Sequence, residues 1–325
     1  MIIHTPVLLN EALSLLDPGV EESIFIDATL GEGGYSFEIL NRFQKATVFG
    51  IEIDSVILEI AKQRLSGFGN RMFYYNTWFN EFFGKYDTYA DRQPDRIIFD
   101  LGISRFHYES AGRGFSFSKT EPLDMRLDPQ SNESAGSIVN AWSESELMDI
   151  FFKFGEERFS RSIAKAIVRE REKKPIESSF DLALIAERAV PAKSRHSSHI
   201  HPATRIFQAL RIATNHELEN LENGIQRAFK VLKIGGRMGV ISYHSLEDRI
   251  VKHFFKEKSR DCTCPGDWPI CKCGGKRELD IITKKPVTAG EAEISANRAA
   301  RSAKLRVVEK IYQKNDQKRE DGVRQ

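Results

Sequence analysis

The stretch Ser23-Ile24-Phe25-Ile26-Asp27-Ala28-Thr29-Leu30-Gly31-Glu32-Gly33-Gly34-Tyr35 decides the fold. Its first five residues are an apolar run closed by a carboxylate, the glycines turn the chain, and Tyr35 to Phe43 continues at helical spacing. It therefore reads as strand, glycine turn, helix. A second unit follows: Ala46-Thr47-Val48-Phe49-Gly50-Ile51 ends in Glu52 and Asp54, and Ile57, Leu58, Ala61 and Leu65 mark the helix after it. Arg71 to Tyr75 and Arg96-Ile97-Ile98-Phe99 read as two more strands, separated by an aromatic stretch around Trp78, Phe79, Phe82 and Phe83. Strands alternating with helices predict an α/β fold with an open, mostly parallel sheet and right-handed crossovers.

After Asp100 the alternation stops. Gly112-Arg113-Gly114-Phe115-Ser116-Phe117 and Asp124-Met125-Arg126-Leu127-Asp128-Pro129 form a long aperiodic loop, a feature that is usually functional. Ser137 to Val190 reads as helices only, one of them opened by Ser143-Glu144-Ser145-Glu146. His201-Pro202 begins a long amphipathic helix that runs to Leu232 and stops at Gly235-Gly236. Met238-Gly239-Val240-Ile241-Ser242 resumes the sheet, Ser245-Leu246-Glu247-Asp248 has the spacing of a capping box, and Ala303 to Lys310 reads as the last strand. The expected division is a discontinuous core of residues 1–108 and 207–312, a loop and all-helical insertion of residues 109–206 that recognises substrate, and a polar tail of residues 313–325.

With 325 residues the chain is too long for one small domain, and 41% hydrophobic against 29% charged residues excludes collagen-like and wholly disordered classes. No apolar run approaches the ~18 residues of a membrane span and the N-terminus has no signal pattern, so a cytoplasmic protein with no membrane partner is expected. A formal charge of +2 gives no general argument for nucleic acid; the C-terminal stretch from Lys276 is mildly basic, with 13 Lys and Arg against 8 Asp and Glu. Cys262, Cys264, Cys271 and Cys273 are too clustered to staple a fold of this size. They fit either a tight zinc site or a reduced surface insertion, and no metal is assigned.

The glycine turn lies where an open parallel sheet binds nucleotides. The dinucleotide fingerprint needs a third glycine where Ser36 stands, and Asp27 before the turn suits a cationic amine rather than a pyrophosphate. Glu52 at the end of the second strand is placed for ribose hydroxyls, as an NAD or an S-adenosylmethionine site requires, and Phe79 for packing on an adenine. Asp100 and Ser104, at the end of the fourth strand, can orient an amine. Pro191 to Asn215 carries Lys193, Arg195, Arg205 and Arg211 with no acidic residue, and so could contact phosphates; His196, His199 and His201 read as polar loop residues. An NAD-dependent oxidoreductase and a non-catalytic RNA-binding module remain as rival classes.

Eight blocks are more specific than any class argument: His4-x-Pro6-Val7-Leu8-Leu9-x-Glu11, the Asp27 to Gly34 turn, Arg113-Gly114-Phe115-Ser116-Phe117, Pro122-Leu123-Asp124-Met125-Arg126, Gly155-Glu156-Glu157-Arg158, His201-Pro202-Ala203-Thr204-Arg205-x-Phe207-Gln208-Ala209-Leu210-Arg211-Ile212, His244-Ser245-Leu246-Glu247-Asp248-Arg249 and Arg301-Ser302-Ala303-Lys304-Leu305-Arg306. In this order they resemble the bacterial small-subunit ribosomal RNA methyltransferase H family, also called MraW, over nearly the whole chain. The resemblance implies a Rossmann-like class I S-adenosylmethionine-dependent methyltransferase with a helical insertion, acting on the N4 amine of a cytosine in the decoding region of 16S rRNA. It implies a cofactor site of Gly33, Gly34, Tyr35, Glu52, Phe79, Asp100 and His107. Tyr35 stands where the family commonly has histidine, Glu52 where aspartate is common, and Arg105 and His107 where serine and glutamine are common. Tyr35 and Glu52 keep a polar group for the ligand. Asp100 and Ser104 are the expected catalytic residues, and Arg113, Phe115, Phe117, Arg205 and Arg211 the expected RNA contacts. The expected partner is 16S rRNA, within the small ribosomal subunit; a homodimer is left open.

Overall fold

The computed structural model describes residues 5–19, 21–197, 201–262, 264 and 275–312. Its strands β1 (Ser23–Asp27), β2 (Ala46–Ile51), β3 (Met72–Tyr75), β4 (Arg96–Asp100), β5 (Arg237–Ser242), β6 (Leu279–Ile281) and β7 (Lys304–Lys310) pair in the order β3-β2-β1-β4-β5-β7-β6. Neighbours from β3 to β5 are parallel, and β7 is antiparallel to both β5 and β6. The chain leaves β1 toward β2 yet β4 lies on the other side of β1, so the order reverses there and opens a crevice at the C-terminal strand ends. β6, with 3 residues, is too short to show a period in the sequence.

Helices α1 (Leu9–Leu15), α2 (Gly34–Arg42), α3 (Ser55–Leu65), α4 (Phe79–Gly84) and α5 (Arg105–Glu109) belong to the first half. The insertion supplies α6 (Ala135–Ala141), α7 (Glu144–Lys153), α8 (Ser160–Arg171), α9 (Ser179–Ala189), α10 (Ala192–Ser197) and α11 (Pro202–Asn215). After it come α12 (Glu217–Val231), α13 (Ser245–Lys258) and α14 (Glu291–Ala296). Alternation along β1 sends Phe25 to one face, among Leu13, Ile39 and Leu65, and Ile26 to the other, among Phe82, Phe99 and Phe229. A third core, of Phe151, Ile163, Leu182 and Leu210, holds the insertion together and takes in Phe115 and Met125 from the loop. Among the described residues no helix is long and apolar enough to cross a membrane.

Two expected elements differ. The single helix from His201 to Leu232 is two, because His216 takes the left-handed conformation (φ 48°). Apolar spacing continues across the break, so the period does not reveal it. The Asn215 carboxamide accepts from Leu127 N–H (2.7 Å) and donates to the Met125 carbonyl (2.8 Å), holding the end of α11 on the loop while α12 turns onto α4. α11 also spans the expected boundary at 206/207, and its Phe207, Leu210 and Ala213 lie in the insertion's core. The capping box of α13 begins one residue early, on His244 with Glu247. That of α7 is Ser143 with Glu146, as the sequence reads.

The insertion is joined to the sheet through Asp54, which is 0% exposed. Its carboxylate caps α3 by accepting from Val56 N–H (3.0 Å), and also accepts from His107 Nε2 (3.1 Å) and from the Arg113 guanidinium. Burial alone would raise its pKa; the His107 and Arg113 bonds overcome this and hold it down at about 2. A depressed carboxylate stabilises the fold above its unfolded pKa and loses that contribution as pH falls through the folded value. Replacing Asp54 by Asn should therefore destabilise the protein by about 3 kcal/mol at neutral pH, the lower end for a buried pair broken from one side. Denaturant titration should show the deficit shrinking from about pH 4 towards pH 2; an equal deficit at both ends would contradict the ionic origin.

Candidate active site

The crevice is lined by what leaves each parallel strand. After β1, Thr29 accepts from Asp100 N–H through Oγ1 (2.6 Å), and Gly31, at φ 53°, donates its N–H to Glu52 Oε2 (3.0 Å). Glu52, after β2, accepts from Asp54 N–H as well (2.8 Å), but burial, with the charge of Asp54 adding to it, pushes its carboxyl up to about 7. Asp100 ends β4 and accepts from the Tyr243 hydroxyl (2.7 Å), which follows β5. Burial raises Asp100 to about 7 against that bond, with the charge of Asp27 adding to the rise.

These ends line two adjoining cavities. Glu52, Trp78, Phe79 and His107 line the smaller, and Gly34, Tyr35, Asp100, Phe115, Phe117, Arg211 and Tyr243 the larger, of about 630 Å3; Thr29, Gly31, Ser104 and Glu247 line both. The smaller has an aromatic wall and an acceptor at one end. His107 Nε2 is turned to Asp54, and its Nδ1 is buried without a hydrogen-bond partner. As the neutral tautomer donating to Asp54, the ring keeps Nδ1 as a free acceptor.

The expected residues divide. Glu52, Phe79 and His107 come together on the smaller cavity, Gly34, Tyr35 and Asp100 on the larger, and Ser104 on both. Gly33 lines neither: at φ 79° it precedes α2 as N-cap, with Leu65 packed where a Cβ would sit. The Tyr35 hydroxyl is not free for a ligand, because it donates to the Val7 carbonyl. Ser104 caps α5 by accepting from Phe106 N–H and donates to Glu32 Oε1 (2.7 Å). Asp27 is buried, accepts from Ser36 Oγ (2.7 Å) and lines neither cavity.

The expected RNA contacts face in different directions. Arg113 points inward to Asp54 and the Arg126 carbonyl (2.7 Å), because a buried carboxylate needs a cation more than solvent does. Arg205 lies 3.5 Å from Glu157 and lines neither cavity. Arg211 reaches the larger cavity but is held bidentately by Glu217 (2.8 Å on each arm). Phe115 is buried 5.0 Å from the His107 ring, and Phe117 stacks on His201 at 4.9 Å. The side chains of Arg195, His196 and His199, and Cys271 and Cys273, lie outside the described residues.

Sequence reading gives Tyr243 and Glu32 no role and reads Glu247 only as part of a helix cap and a family block; the signal for Tyr243 and Glu32 is position, just after β5 and inside the glycine turn. Glu217, His244 and Glu247 present possible metal-ligand atoms within 4.8 Å of one another, but each is engaged. Glu217 holds Arg211, Glu247 Oε2 accepts from Tyr243 N–H (2.8 Å), and His244 Nδ1 accepts from Glu247 N–H (3.4 Å), while His244 Nε2 lies 3.1 Å from Glu247 Oε1 and is buried without a hydrogen-bond partner.

A glycine turn, a carboxylate after β2, an aromatic wall and an adjoining larger cavity lined by Asp100 sit where an α/β fold of this kind binds its ligands. The family model of the MraW methylases matches residues 1–311, and the chain belongs to that family. It is 49% identical over 309 residues to the ribosomal RNA small subunit methyltransferase H of Treponema denticola, covering 95% of this chain and 98% of that one. It is 46% identical over 308 residues to the protein of the same name from Carboxydothermus hydrogenoformans, with the same coverage, 95% and 98%. Among solved structures, an rRNA methylase from Streptococcus thermophilus aligns over 96% of this chain and 99% of its own at 12% identity, with a TM-score of 0.42. The methyl donor is S-adenosylmethionine.

Two measurements probe the geometry. A Cβ on Gly224 of α12 would lie 2.4 Å from the Phe79 ring. Gly224→Ala should therefore displace that ring and weaken S-adenosylmethionine binding about tenfold in calorimetry, a loss of ~1.4 kcal/mol; unchanged affinity would remove Phe79 from the site. A carboxyl raised by folding stabilises below its unfolded pKa and costs stability as pH rises through the folded value. The melting temperature of Asp100→Asn relative to wild type should therefore rise by roughly 2 °C between about pH 5 and pH 8.5. A constant difference would mean that Asp100 is not strained by burial.

Proposed function

We propose that the chain methylates the N4 amine of a cytosine in small-subunit ribosomal RNA, in the cytoplasm. The observation that carries this is Asp100, with its Tyr243 hydroxyl bond, lining the larger cavity next to Leu101 and Gly102, which line both it and the adjoining aromatic one. The names of the relatives supply the RNA.

Glu52 is the acceptor for ribose hydroxyls, Phe79 the surface for the adenine, and the unpartnered His107 Nδ1 an acceptor for its amine. S-adenosylmethionine, when bound, supplies an electrophilic methyl group and a positive charge that buried carboxylates favour. The cytosine amine is a poor nucleophile because its lone pair is conjugated into the ring. The chain's task is to fix it in line, a contribution that reaches on the order of 7–11 kcal/mol in favourable systems. Asp100 accepts from the amine and, with a carboxyl near 7, is suited to take the proton it releases. Ser104, already donating to Glu32, has acceptor capacity left for the second amine hydrogen. Phe115 and Phe117 line the pocket that receives the unstacked base.

The test is transfer from labelled S-adenosylmethionine to small subunits lacking the modification and, in parallel, to free 16S rRNA, followed by nucleoside analysis. Label should appear in N4-methylcytidine, and Asp100→Ala should slow single-turnover transfer by about 100-fold or more. Label in another nucleoside would overturn the target.

A further inference from the structure

The larger cavity is graded in charge. Glu32, Asp100 and Glu247 line it, each engaged with a neighbour, while Arg64, Arg105 and Arg298 also line it from three separate parts of the chain. Arg105 and Arg298 are exposed and Arg64 is half-buried. Arg64 donates one arm to the Glu32 carbonyl (3.2 Å) and lies over Phe37, so its stem is fixed. Arg298 lies on a turn after α14 that is anchored at both ends: Asn297 Oδ1 accepts from Ala299 N–H, Ala300 is buried, and α14 is tied to the N-terminal segment by Glu293 Oε1 accepting from Leu8 N–H (2.7 Å). Arg105 pairs with Glu109 on its own helix (2.9 Å), and Arg205 and Arg211 of the insertion are turned to Glu157 and Glu217.

An acidic floor admits a base that presents an amine and repels the phosphates on either side of it. Those phosphates must be met at the rim, and arginine suits them because its planar fork binds two oxygens at once. We propose that Arg298, with Arg64 and Arg105 facing it around the mouth, clamps the RNA backbone next to the target nucleotide, so that the C-terminal turn, rather than the cations of the helical insertion, is the main electrostatic contact with RNA. This rests on the reading that the substrate is RNA.

The experiment measures binding of the full chain to a 16S rRNA fragment across a salt series, with S-adenosylmethionine affinity and methyl transfer measured in parallel. Arg298→Glu and, separately, Arg64→Glu should weaken RNA binding about tenfold and lower the slope of log affinity against log salt by about one each, since each removes a phosphate contact. Cofactor affinity of Arg298→Glu should stay within about twofold, because that residue does not line the cofactor cavity. Lys153→Glu, on the insertion and paired with Asp149, should leave the slope unchanged. Arg298 is exposed, so its variant isolates the effect from any change at the Glu32 carbonyl. If wild type binds and methylates the RNA while Arg298→Glu matches its slope, the clamp is wrong and the RNA reading stands. If Lys153→Glu loses as much as Arg298→Glu, the insertion carries the contact and the clamp is again wrong. If wild type neither binds nor methylates RNA, both fall together.

Discussion

The Asp54 carboxylate is where three parts of the chain meet. It caps α3 on the sheet, takes the ring of His107 from α5, and takes Arg113 from the head of the long loop. Taking a carboxylate out of water is costly, and the cost is recovered only if every partner is in place. That requirement fixes the loop: with Arg113 turned inward, Phe115 is drawn against His107 and Met125 into the insertion's core. It also fixes a tautomer. Because His107 donates through Nε2 to Asp54, its other nitrogen is left an acceptor on a residue that lines the smaller cavity, so a structural ion pair decides what that side chain can offer a ligand.

The other buried carboxylates answer to a different constraint. Asp27 and Asp100 are raised by burial to about 6 and about 7, and Glu52 to about 7, with no cation beside them comparable to Arg113. Asp100 and Glu52, which line the cavities while Asp27 does not, are suited to a positive charge from outside the chain. A cationic ligand is drawn to the ionised form, so its binding draws protons off the site. Tyr243 tunes this from the neighbouring strand: its hydroxyl keeps Asp100 lower than burial alone would, and Glu247 holds the turn that places it.

The parallel half of the sheet was legible because each strand there is an apolar run closed or followed by a polar residue, buried in β1, β2, β4 and β5, a signal that belongs to short segments. Glu52, Phe79 and Asp100 were legible for the same reason, since position at a strand's C-terminal end is a sequence property. β6 was not, because three residues, only Leu279 of them buried, show no period. The break at His216 was not, because a non-glycine residue in the left-handed region is imposed by what surrounds it, here the two bonds of Asn215 to the loop. Family motifs named Arg113 and Arg205 without saying which way they face. Direction is set by whichever carboxylate the fold buries within reach, and no local spacing encodes that.

The same reasoning separates two kinds of arginine in this molecule. Arg113 and Arg211 are spent inside, where a buried or half-buried partner makes the pair strong in geometry and costly to break from one side. Arg298 is held by its backbone instead, on a turn anchored through Asn297 and Ala300, with its side chain exposed at the mouth. A guanidinium positioned by the main chain loses less freedom when it meets a phosphate than one swinging on a free loop, and it need not abandon an internal carboxylate to do so. The insertion, whose buried surface is used on its own core and on the loop, is then a support that shapes the substrate cavity from one side. The C-terminal turn closes it from the other, which explains why a segment so far along the chain is tied back to the N-terminus through Glu293 and Leu8.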